Sequence, residues 1–265
     1  MQRLSIIDLK NKKKKKEKIV ATTAYDAAFA KLIDPYVDIV LVGDSLGMVI
    51  KGEENTLGVT LDEVMYHTRA VHKRVRRAHL VADMPFLSYQ LSKREAVRNA
   101  GRLLQAGAQS VKIEGGERFC ELVSELTGVG IPVMGHLGMT PQMVHQMGGF
   151  RLQGREASHR DRLLCDAKRL EEAGAYAIVL ESIPGDLAGE MTAALEIPTI
   201  GIGAGAGCDG QVLVIYDLLG IDPAFQPKFV KRYANLSETI EEALKNYSKE
   251  VREGTFPDQS HSYHL

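Results

Sequence analysis

Eight short apolar runs recur along the whole chain, and this pattern constrains the fold more than any other feature. The runs are IVATTAY from Ile19, IVLVGD from Ile39, LVADMPF from Leu80, SVKIEG from Ser110, IPVMGH from Ile131, AIVLES from Ala177, IPTIGIG from Ile197 and QVLVIYD from Gln211. Most are nearly continuously apolar instead of alternating, as expected for parallel strands that other structure covers on both faces. The sequence therefore predicts eight buried parallel strands.

Segments with helical periodicity separate many of these strands. Apolar residues recur at three- and four-residue spacing over 61–77, 93–106, 118–127 and 158–173. The first helix opens with Thr60 and Glu63, which predict a capping box, while Gly107 and Gly174 predict helix stops. Strand and helix alternate over 265 residues, and a (β/α)₈ barrel typically needs about 250. We expect an α/β protein, a single TIM-type (β/α)₈ barrel domain over 1–265 with mobile polar tails at both ends.

Charge and composition exclude several classes of partner. The 33 Lys and Arg against 34 Asp and Glu give no field that would favour nucleic acid or an anionic membrane. The run from Lys12 to Lys16 predicts a solvated, poorly ordered arm, because no aromatic residue interleaves the lysines. Without an 18-residue apolar stretch, a signal peptide or a CxxC motif, we expect a cytoplasmic protein with ordinary thiols.

Polar residues stand where most of the predicted strands end, and in a parallel barrel these ends form the active face. They are Asp44, Ser45, Asp83, Lys112, Glu114, His136 and Glu181. Carboxylates crowded into a partly desolvated mouth repel one another unless a cation offsets the repulsion. Oxygen donors without a Cys or His cluster favour Mg²⁺ over zinc. The pattern predicts a magnesium site that could chelate a 2-oxo acid and hold its enolate.

Each of these residues also has a purely structural interpretation. An Asp at a strand end more often caps a helix, although glycines and apolar residues follow Asp44 in place of a helical pattern. Asp83 could still cap a helix or shape a turn. Lys112 and Glu114 lie two apart in a strand, so they could form an ion pair inside the barrel. His136, taken alone, is better explained as a hydrogen-bonded core histidine.

Eight segments carry a resemblance to a known family, in that family's order. They are TTAYD at Thr22, LVGDSLGM at Leu41, ADMPF at Ala82, VKIEGGE at Val111, GHLGMTPQ at Gly135, GGFRLQGR at Gly148, IGIGAG at Ile200 and DGQVLV at Asp209. With these segments the chain resembles the ketopantoate hydroxymethyltransferase family over nearly its whole length. The resemblance implies a (β/α)₈ barrel that transfers a hydroxymethyl group from 5,10-methylenetetrahydrofolate to 3-methyl-2-oxobutanoate, giving 2-dehydropantoate for pantothenate biosynthesis. It also implies Mg²⁺ as cofactor and a homo-oligomer, commonly a decamer.

The same resemblance implies roles for the strand-end residues. It implies magnesium ligands at Asp44, Asp83 and Glu114. It implies substrate contacts at Asp44, Ser45, Asp83, Lys112 and His136. It implies that Glu181 is the proton acceptor.

Two other functions stay open at this point. One is another Mg²⁺-dependent 2-oxo acid C–C lyase barrel, related to isocitrate lyase, although this chain lacks the lysine-lysine-cysteine-glycine-histidine loop of those enzymes. The other is a non-catalytic barrel that binds an anion at the glycine string from Ile200. That string is a weak phosphate motif, because the G-x-G-x-x-G spacing at a helix start and a following acidic residue are not both present.

Overall fold

The computed structural model describes residues 3–263, and within this range eight parallel strands close into a barrel in chain order. The strands are β1 Ile19–Thr23, β2 Ile39–Val42, β3 His79–Asp83, β4 Ser110–Glu114, β5 Val133–Gly138, β6 Ala177–Glu181, β7 Thr199–Ile202 and β8 Gly210–Leu213. The barrel closes where β1 pairs with β8. Each predicted apolar run supplies one strand, so the predicted fold class is confirmed.

Ten helices accompany the strands in the described range. They are α1 Ile6–Lys14, α2 Ala27–Ile33, α3 Leu46–Val49, α4 Leu61–His72, α5 Lys93–Gln105, α6 Cys120–Gly128, α7 Ala157–Glu172, α8 Gly185–Ala194, α9 Ile215–Leu219 and α10 Leu236–Glu253. The four predicted helices correspond to α4 through α7. Between β7 and β8 the chain forms no helix. No helix within residues 3–263 is long and apolar enough to cross a membrane.

Helix α4 illustrates how the sequence sets its ends. The Thr60 hydroxyl accepts the backbone N–H of Glu63, and the Glu63 carboxylate accepts the N–H of Thr60, so the predicted capping box is present. The helix ends at His72, five residues before the predicted end at residue 77. Beyond it, the Asp34 carboxylate accepts the N–H groups of residues 76–78, which immediately precede β3. A carboxylate from another loop therefore replaces the carbonyl partners that a longer helix would need.

Apolar side chains fill the barrel and close it at the end where the strands begin. The interior cluster comprises Leu9, Ile19, Ala21, Ile39, Leu41, Val81, Met134, Tyr176, Ala177, Val179, Ile200 and Val212. Leu9 comes from α1 and is fully buried in this cluster, with Ile6 packed against it. Helix α1 thus covers the N-terminal end of the barrel, so that polar side chains gather at the other end.

The prediction of a solvated lysine arm is wrong for Lys12 and Lys13. Both lie on α1, where Lys12 Nζ stands 3.3 Å from Asp38 Oδ2 and Lys13 Nζ stands 2.8 Å from Asp209 Oδ2. Asp38 and Asp209 each precede the first residue of a strand, β2 and β8 respectively. These long-range ion pairs tie α1 to the barrel, and residues 14–16 are the exposed part of the run.

The chain divides into two compact units, the first ending at Val214 and the second beginning at Ile215. The first unit contains the whole barrel, and the second contains α9 and α10. The predicted single domain over 1–265 made no such division, and it stays a prediction. After α10 the chain forms a 3₁₀ turn at Gln259–His261, and the mobility predicted for the C-terminal tail stays a prediction.

A buried polar chain links three strands at the closed end of the barrel. His79 Nδ1 lies 3.0 Å from the Leu4 carbonyl, so this nitrogen carries the proton, and Nε2 accepts from the Ser110 hydroxyl 2.9 Å away. The Ser110 oxygen in turn accepts from the Tyr176 hydroxyl at 2.9 Å. Burial, outweighing the hydrogen bond to Leu4, lowers the pKa of His79 to about 4.

We predict that His79 makes the barrel lose stability as the pH falls below the pKa of an unfolded histidine. Between pH about 6.5 and about 4 the unfolded chain binds a proton that the folded chain does not, so lower pH favours unfolding. The contribution to the free energy of unfolding between pH 7 and pH 5 is about 2 kcal/mol. Urea unfolding of wild type and His79→Gln at both pH values measures it. If the free energy of unfolding changed equally with pH in wild type and in His79→Gln, His79 would not be the group responsible.

Candidate active site

Strand register brings the predicted site residues together at the C-terminal end of the barrel. Asp83 pairs with Lys112 across β3 and β4, Glu114 pairs with His136 across β4 and β5, and Glu181 pairs with Gly138 across β5 and β6. Asp44 and Ser45 follow β2 directly. Neighbouring strands therefore present these polar side chains side by side, and Asp44, Asp83, Lys112, Glu114 and His136 are all buried.

Each of the three buried carboxylates has one oxygen held by an amide N–H. Asp44 Oδ2 accepts from the Gln142 side chain at 2.8 Å, Asp83 Oδ2 accepts from the Asp44 backbone at 3.0 Å, and Glu114 Oε2 accepts from the Gln142 backbone at 3.0 Å. The opposite oxygens of two of them, Asp83 Oδ1 and Glu114 Oε1, are buried without a hydrogen bond. Buried acceptors in this state favour a cationic ligand.

Lys112 supplies positive charge to these two oxygens without hydrogen bonding to them. Its Nζ lies 3.3 Å from Asp83 Oδ1 and 3.6 Å from Glu114 Oε1. The interior ion pair anticipated for Lys112 and Glu114 is therefore present, and Asp83 shares the same cation. Burial disfavours the charged lysine, but the adjacent carboxylates outweigh this effect, so the pKa of Lys112 is raised.

The carboxylates differ in how they respond to burial. Burial and the nearby charges of Asp83 and Glu114 raise the pKa of Asp44 well above its ordinary value. Burial also raises the pKa of Asp83, although Lys112 opposes the shift. For Glu114 the effect of burial is outweighed by the contact with His136 and the charge of Lys112, so its pKa is lowered. Burial therefore favours the protonated form of Asp44 and of Asp83, whereas the contacts of Glu114 favour its ionised form.

His136 joins this cluster to Glu181. Its Nδ1 lies 3.3 Å from Glu114 Oε1, and its Nε2 lies 3.1 Å from Glu181 Oε2. Burial and Lys112 would lower the pKa of His136, but the two carboxylates raise it to about 9. The Glu181 side chain is 16% exposed and is the most accessible of the three. His136 therefore contacts one carboxylate in the interior and one at the mouth, and its Nδ1 also lies 3.3 Å from Lys112 Nζ.

The structure of the loop after β2 differs from the one that its sequence predicts. The residues after Asp44 predict no helix start, whereas the one-turn helix α3 begins at Leu46 with Ser45 at its N-cap. Neither polar side chain caps it, because the Asp44 carboxylate bonds to Gln142 and the Ser45 hydroxyl lies 2.8 Å from the hydroxyl of Tyr25. Both side chains consequently face the barrel mouth in spite of the local helix.

Sequence reasoning missed two residues of the site, Gln142 and Tyr89. Gln142 lies in the segment GHLGMTPQ, on a 3₁₀ turn that Pro141 begins after β5. The Tyr89 hydroxyl donates to Gln142 Oε1 at 2.9 Å and accepts the backbone N–H of Glu114 at 3.2 Å. The only available signal was that Gln142 falls within a family-like segment, since neither residue ends a strand.

The glycine string after β7 has a packing explanation. A Cβ at Gly205 would lie 2.9 Å from the Cα of Gly185, and a Cβ at Gly207 would lie 3.0 Å from the Cα of Gly189. Gly185 and Gly189 are both on α8, so the string allows this loop to contact the helix backbone. Packing against α8 therefore accounts for the glycines at 205 and 207.

Among the described side chains, no group of three or more His, Cys, Asp and Glu residues is arranged to hold a metal ion. The donor set is nonetheless that of a hard cation, since carboxylate oxygens dominate it. The magnesium site predicted at Asp44, Asp83 and Glu114 stays a prediction.

Comparison with known proteins places this chain in a family. The family model described as ketopantoate hydroxymethyltransferase matches residues 3–259. The chain belongs to this family. A 3-methyl-2-oxobutanoate hydroxymethyltransferase of Syntrophus aciditrophicus (strain SB) is 58% identical over 257 residues, covering 96% of this chain and 94% of the relative. An enzyme of the same name from Thermotoga maritima is 54% identical over 253 residues, covering 95% and 94%.

Solved structures extend the likeness to more distant barrels. A phosphonopyruvate hydrolase in complex with oxalate and Mg²⁺ has a TM-score of 0.63 and 13% identity, covering 98% of this chain and 93% of its own. A 2,3-dimethylmalate lyase of the PEP mutase/isocitrate lyase superfamily has a TM-score of 0.58 and 15% identity, covering 97% and 91%. At these identities the likeness shows the fold alone.

We predict that Lys112→Met lowers the free energy of unfolding by about 3 kcal/mol near neutral pH, because it leaves buried carboxylates without their cation. Lys93→Met is the matched control, since Lys93 pairs with Glu121 on the exposed surface and its loss costs at most about 1 kcal/mol. Urea unfolding curves of both variants and wild type measure the difference. Equal losses in the two variants would show that the Lys112 contacts contribute no more than a surface ion pair.

Proposed function

We propose that this chain transfers a hydroxymethyl group from 5,10-methylenetetrahydrofolate to 3-methyl-2-oxobutanoate, giving 2-dehydropantoate for pantothenate biosynthesis. Family membership and the names of relatives at 58% and 54% identity support the reaction. The observation that carries it is the mouth of the barrel, where carboxylate oxygens without a hydrogen bond lie beside Lys112, and His136 connects Glu114 to Glu181. A 2-oxo acid needs this combination of cation and base for enolisation.

The residues present fit a magnesium ion. Asp83 Oδ1 and Glu114 Oε1 are buried acceptors without a hydrogen bond, and Asp44 adds a third carboxylate. Under this proposal Asp44, Asp83 and Glu114 hold Mg²⁺, directly or through water. When bound, the ion supplies a Lewis acid that polarises the keto group and stabilises the enolate oxygen.

Cationic and hydroxyl groups of the chain would bind the substrate. Lys112 offers a charged ammonium to the carboxylate and keto oxygens of the 2-oxo acid. The Ser45 hydroxyl, held by Tyr25, is a further donor at the same edge of the barrel. His136 contacts the substrate or the incoming one-carbon unit from the other side, and Asp44 and Asp83 border the same space.

Glu181 is the proposed proton acceptor because it is the accessible carboxylate of the site. It takes the proton from C3 of 3-methyl-2-oxobutanoate, and C3 then forms a bond with the one-carbon unit. Water supplies the new hydroxyl group, while the released C3 proton and the remaining water proton end on the two folate nitrogens that lose the carbon. His136 keeps Glu181 oriented through the 3.1 Å contact with its carboxylate.

We also propose a homo-oligomer in the cytoplasm, as the family resemblance implies. Helix α10 supports assembly, because Ile240, Leu244, Tyr247 and Val251 form an exposed apolar stripe along one side of it. Spacings of four, three and four residues place these side chains on one face. An exposed stripe of this kind is typical of a protein–protein contact.

Glu181→Gln tests the chemistry directly. We predict that wild type with Mg²⁺ and without folate exchanges the C3 proton of 3-methyl-2-oxobutanoate for deuterium, as followed by NMR. Glu181→Gln should slow this exchange at least about 100-fold while it keeps Mg²⁺ and 2-oxo acid binding, because the amide preserves shape but accepts no proton. Glu172→Gln, on the exposed end of α7, is the matched control and should exchange like wild type.

The outcomes separate the parts of this proposal. Weakened metal binding in Glu181→Gln would reassign Glu181 to the metal ligands. If wild type exchanged the C3 proton equally well without Mg²⁺, the metal would have no part in proton abstraction. Absence of exchange by the folded, Mg²⁺-loaded wild type, followed by absence of product when folate is added, would overturn the substrate assignment.

Leu244→Asp tests the assembly. A charge in the apolar stripe should dissociate the oligomer, because association would bury an unpaired carboxylate. Asn246→Asp adds the same charge away from the stripe and should leave the mass unchanged. Light scattering coupled to size-exclusion chromatography measures both masses. A monomeric wild type, or an unchanged mass for Leu244→Asp, would contradict the proposal.

A further inference from the structure

Gln142 contacts two of the proposed metal ligands at once. Its side-chain Nε2 donates to Asp44 Oδ2 at 2.8 Å and to the Met84 carbonyl at 2.9 Å. Its backbone N–H donates to Glu114 Oε2 at 3.0 Å. Gln142 is 5% exposed, so these bonds form away from bulk water. A single residue therefore restrains carboxylates that come from β4 and from the loop after β2.

The orientation of the Gln142 amide is determined by its neighbours. Its Oε1 accepts from the Tyr89 hydroxyl at 2.9 Å and from Gln90 Nε2 at 3.1 Å. A flipped amide would set its NH₂ group against the Gln90 NH₂ and its oxygen against the Asp44 carboxylate and the Met84 carbonyl. Both polar atoms of the side chain are thus fully used, and Nε2 must point at Asp44.

These bonds engage one oxygen of each of the three carboxylates. Gln142 occupies Oδ2 of Asp44 and Oε2 of Glu114, and the Asp44 N–H occupies Oδ2 of Asp83. The other oxygens, Asp83 Oδ1 and Glu114 Oε1, are buried without a hydrogen bond and face the Lys112 ammonium at 3.3 and 3.6 Å. The bond to one oxygen of a carboxylate restrains its rotation and so sets the direction of the other oxygen. The network consequently keeps acceptors available for a cation.

We propose that Gln142 is a positioning residue for a divalent cation, orienting Asp44 and Glu114, and that Tyr89 fixes its amide. This inference rests on the magnesium site of the proposed function. Gln142 contacts no substrate atom in this scheme and acts only through the carboxylates. Outer residues that orient metal ligands typically contribute about 10- to 100-fold to metal affinity.

Gln142→Met tests the inference, since methionine keeps the length of the side chain and removes both of its hydrogen-bonding atoms. Mn²⁺ binding to the purified full-length chain, followed by electron paramagnetic resonance, should weaken about 10- to 100-fold. The Mg²⁺ concentration that half-saturates C3 proton exchange should rise by a similar factor. The exchange rate at saturating Mg²⁺ should change much less, which separates metal positioning from a general structural defect.

Two further variants complete the design. Gln109→Met makes the same chemical change at the opposite end of β4, where the amide accepts from Leu80 N–H and donates to the Leu4 carbonyl. It should leave Mn²⁺ affinity unchanged. Tyr89→Phe removes one of the two donors to Gln142 Oε1 and should weaken Mn²⁺ binding by a smaller factor than Gln142→Met.

The possible results separate failure of the magnesium site from failure of the role of Gln142. Wild type that binds no Mn²⁺, with or without 3-methyl-2-oxobutanoate, overturns the magnesium site itself and this inference with it. Wild type that binds Mn²⁺ while a folded Gln142→Met binds it equally well overturns the role of Gln142 alone. If Gln142→Met does not fold, unchanged Mn²⁺ affinity in folded Tyr89→Phe overturns the inference, and a weakened affinity supports it.

Discussion

Three carboxylates buried within one barrel mouth constrain the rest of this structure. Asp44, Asp83 and Glu114 are shielded from water, where isolated negative charges are unstable. Lys112 and a His136 with a pKa of about 9 supply positive charge at neutral pH, which leaves the carboxylates in excess. Burial is the main cause of the raised pKa of Asp44, and the charges of Asp83 and Glu114 raise it further. A divalent cation would remove the repulsion among these charges and leave all three carboxylates ionised.

The closed end of the barrel makes this arrangement possible. Leu9 from α1 joins the apolar interior, and the ion pairs of Lys12 and Lys13 fasten that helix across the strand starts. Interior apolar packing then supplies the stability that the charged mouth does not.

The sequence predicts most of the scaffold and only part of the site. Strand order, the capped helix α4 and the strand-end residues follow from local periodicity and from the rule that parallel strands end together. The anchoring of Lys13 by Asp209 does not follow, because 196 positions separate them and either residue alone resembles a surface charge. Gln142 cannot be identified from the sequence for a related reason. Its importance lies in hydrogen bonds to residues 98 and 58 positions away, and no local pattern encodes these contacts.

The comparison with distant barrels shows why the detail of the mouth matters more than the fold. A phosphonopyruvate hydrolase and a 2,3-dimethylmalate lyase share the architecture at 13% and 15% identity, so the scaffold does not by itself select a reaction. In this chain the charged strand ends are joined through Lys112 and His136. His136 contacts Glu114 on its inner side and Glu181 on its outer side, so the orientation of Glu181 depends on the buried cluster. His136 is therefore the residue whose loss would separate Glu181 from the buried cluster.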